Sequence, residues 1–232
     1  MNFPKPLIAA TLLRRYKRFL ADVRLTDGIV LTAHCPNSGS MLGCADPGIA
    51  AYLSESDNPK RKYRHTLEMV KPQECWVGIN TSRTNDLVEE AVRQGVIKEL
   101  AHCAKLRREV VSSPGSRLDF QFDERGRTVF MEVKNCTLAE DGTALFPDAV
   151  TSRGTKHLRE LMALRQKGCR AIIFFLVQRI DTKRFTAAAR IDPLYAATLA
   201  EAVQTGVEVL AYQAVVTPAS INVTQPLPVV FR

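Results

Sequence analysis

The sequence predicts a mixed α+β protein in two parts: a small all-β barrel over residues 1–82, then an α/β domain over residues 83–232 whose mixed sheet is flanked by helices. Three observations carry this. The first eighty residues hold five or six short apolar or alternating runs separated by turn-forming clusters. From Thr84 onward, helical stripes alternate with strand-like runs. One of those runs, Cys169–Val177 (Cys-Arg-Ala-Ile-Ile-Phe-Phe-Leu-Val), is nearly all apolar, as in a strand buried on both faces.

In the first part, Pro6–Leu13, Arg18–Leu25 and Ile29–His34 read as strands, with Thr26-Asp27-Gly28 turning between the second and third. A long irregular loop, Cys35–Gly48, is crowded with turn residues. Ala50–Ser54, Tyr63–Val70 and Trp76–Ser82 complete the set. Strands this short and this many suggest a closed barrel, with the oligonucleotide-binding type a natural candidate. Two basic clusters interleave a tyrosine with cations: Arg14, Arg15, Lys17 and Arg18 around Tyr16, and Lys60, Arg61, Lys62 and Arg64 around Tyr63. Phosphate neutralisation plus base stacking uses such a combination. The competing reading of each is a charged turn at a strand end.

In the second part, Thr84–Gln94 reads as a helix with Leu87, Val88, Ala91 and Val92 as its stripe and Gly95 as its stop. Lys98–Arg108 is read as a further helix, so residues 83–108 form a helical connection. Arg117–Phe122 and Thr128–Lys134 form a β-hairpin about Asp123-Glu124-Arg125-Gly126. Asn135–Ala149 is expected to be a loop. A helix follows over about Thr151–Gln166, then the buried strand. Asp192-Pro193 opens a last helix, with an N-cap aspartate and proline in the first helical position, which ends near Gly206. Val207–Val216 is a strong strand and Ile221–Phe231 a weaker β segment.

The hairpin concentrates the chemistry. Side chains two apart on a strand share a face, so Glu132 and Lys134 point together while Met131 and Val133 point away. Asp119, between Leu118 and Phe120, is expected to stand opposite those apolar neighbours and to approach Glu132 and Lys134. Glu109 is a candidate third carboxylate. Carboxylates suit a hard divalent cation such as Mg²⁺ or Mn²⁺, which takes oxygen ligands, keeps several waters and binds substrate phosphate. The chemistry indicated is metal-assisted phosphodiester hydrolysis, with Lys134 orienting a water or stabilising developing negative charge. The plainer alternative is a solvated strand face carrying an ion pair. Arg153, Lys156 and His157, in the first turns of the helix after the hairpin, are candidate phosphate contacts or merely a polar face. Gln178, just past the buried strand, is a possible support for the lysine or its water.

Composition narrows the partners. There are 32 Lys+Arg against 24 Asp+Glu, a formal net charge of +8, which favours a polyanionic partner, nucleic acid before membrane, and leaves DNA and RNA both open. No apolar run reaches the roughly 20 residues of a membrane span, so no membrane partner is expected. The six cysteines lack any Cys-x-x-Cys pair, which suggests reduced thiols in the cytoplasm. His34, Cys35 and Cys44 fit no standard zinc spacing, and small buried cysteines are the better reading. The sequence leaves the oligomeric state open.

Several segments together resemble the sugar fermentation stimulation protein A family of bacteria: Ala10–Val23, His34-Cys-Pro-Asn-Ser-Gly39, Ser116-Arg-Leu-Asp-Phe120, Glu132-Val-Lys134 and, most distinctively, Phe146–Leu161. The resemblance spans nearly the whole chain. It implies an N-terminal oligonucleotide-binding barrel, a C-terminal domain similar to the PD-(D/E)xK nucleases, DNA binding, and a link to the expression of sugar-utilisation genes, maltose in particular. Asp119 and Glu132 match that motif's metal-binding acids and Lys134 its lysine; Glu109 matches the acid often supplied by a preceding helix. Leu118 stands where the motif has proline, and Ser38 where Pro-Asn-Thr-Gly would have threonine. Two functions remain: a metal-dependent nuclease, and a DNA-binding regulator whose nuclease-like site is idle.

Overall fold

A computed structural model describes residues 1–113 and 115–231. Its N-terminal unit is a closed barrel of five main strands: β1 (Ile8–Tyr16), β2 (Leu20–Leu25), β3 (Val30–His34), β4 (Ala50–Glu55) and β5 (His65–Lys71). The strand order is β3-β2-β1-β4-β5, and the pair His34↔Thr66 closes β3 onto β5. Alternation along each strand sends Leu12, Ala21, Val23, Ala33, Leu53 and Leu67 inward, where they form the barrel's own core. The expected sixth strand shrinks to β6 (Val77–Gly78), because Asn80 caps a 3-10 turn at Thr81–Arg83 that leads directly into helix α1 (Thr84–Arg93).

The second unit is a six-stranded mixed sheet, ordered β15-β14-β12-β9-β8-β7. Its strands are β7 (Ala104–Ser113), β8 (Ser116–Glu124), β9 (Arg127–Cys136), β12 (Arg170–Val177), β14 (Glu208–Val216) and β15 (Ile221–Pro226). The central strand β12 runs parallel to both β9 and β14, and Ala171 to Val177 are all buried. One face is covered by α2 (Ser152–Gln166) and α3 (Pro193–Gln204), through Leu158, Leu161, Tyr195 and Leu199. The other face is covered by α1 and by barrel residues Met69, Tyr52 and Trp76. The barrel thus does for one face of the sheet what helices do for the other. No helix among the described residues is long and apolar enough to cross a membrane.

Two expectations are corrected. Lys98–Arg108 is not a helix: a 3-10 turn at Lys98–Leu100 is followed by β7, which pairs with β8 from Ala104↔Asp123 to Ser113↔Ser116. Without that strand, the backbone groups along the outer edge of β8 would lack these partners, and satisfying them outweighs a weak helical pattern. Nor is Asn135–Ala149 a loop. Strands β10 (Leu138–Glu140) and β11 (Thr143–Phe146) form a second hairpin about Asp141-Gly142, extended by β13 (Arg184–Ala187) in a three-stranded sheet. Asp-Gly is a strong hairpin signal, but these strands are too short to show alternation.

Candidate functional site

The β8–β9 hairpin turns through Arg125 and Gly126, both at positive φ (53° and 88°), as a two-residue hairpin turn requires. Its ladder runs from Glu124↔Arg127 to Phe120↔Met131 and stops there. At the next position the Asp119 side chain replaces the backbone acceptor: its Oδ2 accepts a 2.7 Å bond from the Val133 N–H. The strict alternation expected of β8 breaks at this point. Leu118 packs in the helix-side core, whereas Phe120 packs in the barrel-side core. The break sets a carboxylate between two parting strands, beside Glu132.

Glu132 is 3 % exposed. Its Oε1 accepts a 2.5 Å bond from Lys134 Nζ and is bonded to His157 Nδ1 on α2. Lys134 Nζ lies 3.4 Å from the same imidazole nitrogen. Glu132 Oε2 is buried and has no hydrogen-bond partner. Burial alone would push this carboxyl up, but the His157 bond and the Lys134 charge outweigh it and hold it below the usual carboxylate range. Asp119 goes the other way: burial, then the Glu132 charge, push it up to about 6, against its bonds from Val133 N–H and from Asn85 Nδ2 (2.8 Å). Two acids this close, one with an orphaned buried oxygen, form a site that a cation would relieve. Hard carboxylate oxygens suit Mg²⁺, Mn²⁺ or Ca²⁺.

Glu109 does not join them. It is exposed on β7 at φ 51° and lines a separate open cavity with Arg117, Lys156 and His157. Among the described residues, no three His, Cys, Asp or Glu side chains converge closely enough to hold a metal. The preceding helix does reach the site, but through neutral Asn85 rather than an acid. A cation held here would have two carboxylates, with its remaining positions left to backbone carbonyls and water. Nothing in the sequence marks Asn85 as a site residue, because its contact with Asp119 is set by the packing of the helix on the sheet.

The basic residues divide. Arg15 is an internal brace, donating to the carbonyls of Arg18, Asn37, Gly39 and Ser40 and so fixing the Cys35–Gly48 loop. Arg14 is paired with Asp22 at 2.8 Å and lies over the Tyr16 ring. Lys17 and Arg18 form the exposed tip of the β1–β2 turn. Lys60, Arg61, Lys62 and Arg64 are exposed in the β4–β5 connection, with Arg64 paired to Glu55 and Lys62 near the Tyr63 ring. The pairings Leu20↔His34 and His34↔Thr66 place both clusters at the same end of the barrel.

On α2, Arg153 and Lys156 are exposed, but His157 is 4 % exposed and committed to Glu132, so it is no surface phosphate contact. Gln178 does not support Lys134. It is 1 % exposed and donates to Asn135 Oδ1 at 2.5 Å, and its backbone carbonyl accepts from Gly78 N–H of the barrel. The lysine's support is Glu132 and His157.

A cavity of about 310 Å³ lies where barrel and sheet domain meet. Lys134 opens into it, with Arg18 on the barrel side and Arg153 on the helix side.

Residues 13–79 match the model of the sugar fermentation stimulation protein N-terminal OB domain, and residues 82–220 that of the sugar fermentation stimulation protein RE domain. A sugar fermentation stimulation protein homolog of Geobacter sulfurreducens is 54% identical over 99% of this chain and 98% of its own length. Those of Desulfotalea psychrophila and Geotalea uraniireducens are 53% and 51% identical, covering 92% and 99% of this chain and 91% and 99% of theirs. Among solved structures, Pyrococcus furiosus SfsA in complex with Ca²⁺ superposes with a TM-score of 0.91 at 28% identity, covering 99% of this chain and 98% of that one. The chain belongs to the sugar fermentation stimulation protein family.

Proposed function

We propose that the protein is a divalent-metal-dependent nuclease that hydrolyses phosphodiester bonds, with DNA as the preferred substrate over RNA. The observation that carries this reading is the convergence of Asp119 and Glu132 beside Lys134, with Glu132 Oε2 buried and unpartnered. Asp119 and Glu132 would hold Mg²⁺ or Mn²⁺, which supplies charge neutralisation at the phosphate and an acidified water. Description of the Pyrococcus relative with Ca²⁺, a hard cation of the same class, supports this. Lys134 keeps a positive charge where negative charge develops. His157 and Asn85 hold the two acids in place. The barrel end bearing Lys17, Arg18 and Lys60–Arg64 neutralises the backbone. Four of the six unpaired cysteines are buried, which suits a reducing cytoplasm.

A second reading, a DNA-binding regulator with an idle site, is favoured by the two-acid donor set and by the family's link to sugar utilisation. The two separate in one experiment. Purified protein is incubated with DNA and RNA in Mg²⁺ or Mn²⁺, then with chelator. Metal-dependent cutting that disappears in Glu132→Ala and Lys134→Ala is expected. Cutting that persists in both variants points to a contaminant, and binding without cutting leaves the regulator.

A further inference from the structure

We propose that the cavity between barrel and sheet domain receives one unstacked nucleotide, which makes single-stranded nucleic acid the substrate class of the site. The inference rests on the nuclease-like reading of Lys134 but has its own observable.

Size comes first. At about 310 Å³ the cavity is at the lower end of those that enclose one small ligand. A stacked duplex cannot enter it; a single nucleotide turned out of its stack can. The chemistry of the wall matches in parts. Leu145, Pro147, Ala149 and Val150 give an apolar side against which a base can lie. Lys134, Arg18 and Arg153 give three cations for its phosphates. The one acid in the wall is Asp148, which accepts a 2.8 Å bond from Met41 N–H, so cations outnumber acids in the wall three to one.

The wall is also built rather than adventitious. Its barrel side is the Asn37-Ser38-Gly39 turn. Arg15 holds that turn through two of its carbonyls, and the Asn37 amide donates to Ile79 O at 3.2 Å. Asp148 closes it from the opposite domain, and a Cβ on Gly39 would fall 2.6 Å from Asp148 Oδ1. Neither domain alone encloses the space. Position completes the argument: Lys134 lines the cavity and is bonded to Glu132, so a phosphate that met Lys134 would lie one side chain away from the paired acids, which do not themselves line the cavity. Arg153 also lines the neighbouring open cavity with Arg117 and Lys156, which gives the strand a basic path onward.

The test uses the full-length protein and single-stranded DNA carrying 2-aminopurine at one position, stepped along the strand, in Ca²⁺. One position is expected to brighten severalfold on binding, as an unstacked base does, while matched duplex gives no rise and binds at least tenfold more weakly. Ala149→Trp, which fills the cavity, should abolish the rise while the melting temperature and Ca²⁺-induced stabilisation stay unchanged. Arg153→Ala keeps the cavity open and should weaken single-strand binding severalfold, so the proposal remains exposed if the tryptophan variant does not fold. Equal binding of duplex and single strand, absence of any bright position, or a rise that survives Ala149→Trp overturns it. Brightening without cleavage in Mg²⁺ or Mn²⁺ would sink the nuclease and keep the pocket; cleavage without brightening would do the reverse.

Discussion

Replacing Gly78 with alanine tests how the two domains are joined. Gly78 lies on β6, and a Cβ there would sit 2.0 Å from Gln178 Oε1, 2.8 Å from its Cδ and 3.1 Å from its Cβ. The glutamine cannot swing away cheaply. It is 1 % exposed, its amide donates to Asn135 Oδ1, and its backbone bonds both Gly78 and Cys136. Displacing it loses one side-chain hydrogen bond and strands buried amide groups, about 1–3 kcal/mol. Overpacking adds a further ~1–3 kcal/mol. A total of about 2–6 kcal/mol, at roughly 2–4 °C per kcal/mol for a chain of this size, lowers Tm by about 4–24 °C. Differential scanning calorimetry reads this directly. The double variant Gly78→Ala/Gln178→Ala removes the obstacle and should recover much of the loss relative to Gly78→Ala, giving a coupling above about 1 kcal/mol. A single variant that melts within a degree of wild type, or a double variant that melts no higher than the single, would refute the steric account.

Three further outcomes follow from the site. Adding Mg²⁺ or Ca²⁺ should raise the Tm of the wild-type protein and leave that of Glu132→Gln unmoved, since a ligand stabilises only the state that binds it; equal rises in both would place the metal elsewhere. Asp119 is raised in the fold to about 6 from an ordinary 3.8, so between those values the folded state holds more protons than the unfolded one. Stability of the metal-free protein therefore falls as pH rises through that window, and Asp119→Asn should raise Tm at pH 7–8 by more than at pH 4, with a ceiling of about 3 kcal/mol. Arg15→Ala should lower Tm by several degrees because four carbonyls lose their donor, whereas Lys17→Ala should leave Tm unchanged while reducing the salt dependence of DNA binding.

The legible parts of this fold are those whose signal is local. Barrel strands β2 to β5, the Asp192 cap that accepts from Tyr195 N–H, and the apolar β12 can be placed within a residue or two because period, turn chemistry and capping all agree, whereas β1 runs on to Tyr16 and β6 is cut short at Gly78. Lys98–Arg108 misleads because its conformation is set by the edge of β8, a partner from elsewhere in the chain. The three-stranded sheet is hidden for the same reason: β11 pairs with β13, Thr143 opposite Arg184, across forty residues. Within the site, spacing finds Glu132 and Lys134, since two residues along one strand always share a face. It finds Asp119 near Glu132, but not the parting of Leu118 and Phe120 to opposite cores, which leaves no mark in the sequence. It overstates Arg15, His157 and Glu109, because a residue type carries charge but not its neighbours.

The structural logic ties the family's two domains into one unit. A sheet with β12 buried on both faces needs a cover on each, and here α2 and α3 supply only one. The other includes barrel residues Tyr52, Met69 and Trp76, so separating the domains would expose apolar sheet surface as well as break the Gly78–Gln178 and Met41–Asp148 bonds. The same junction carries Lys134 at its inner wall. On the nuclease reading, a barrel attached by a flexible linker would bind nucleic acid and leave cutting to chance, whereas a barrel that forms part of the wall would fix where a bound strand meets the acids. Any substitution that loosens the junction should thus lower nucleic-acid cleavage and thermal stability together, and a loosened variant that cut at full rate would show that the barrel is a tether rather than part of the site.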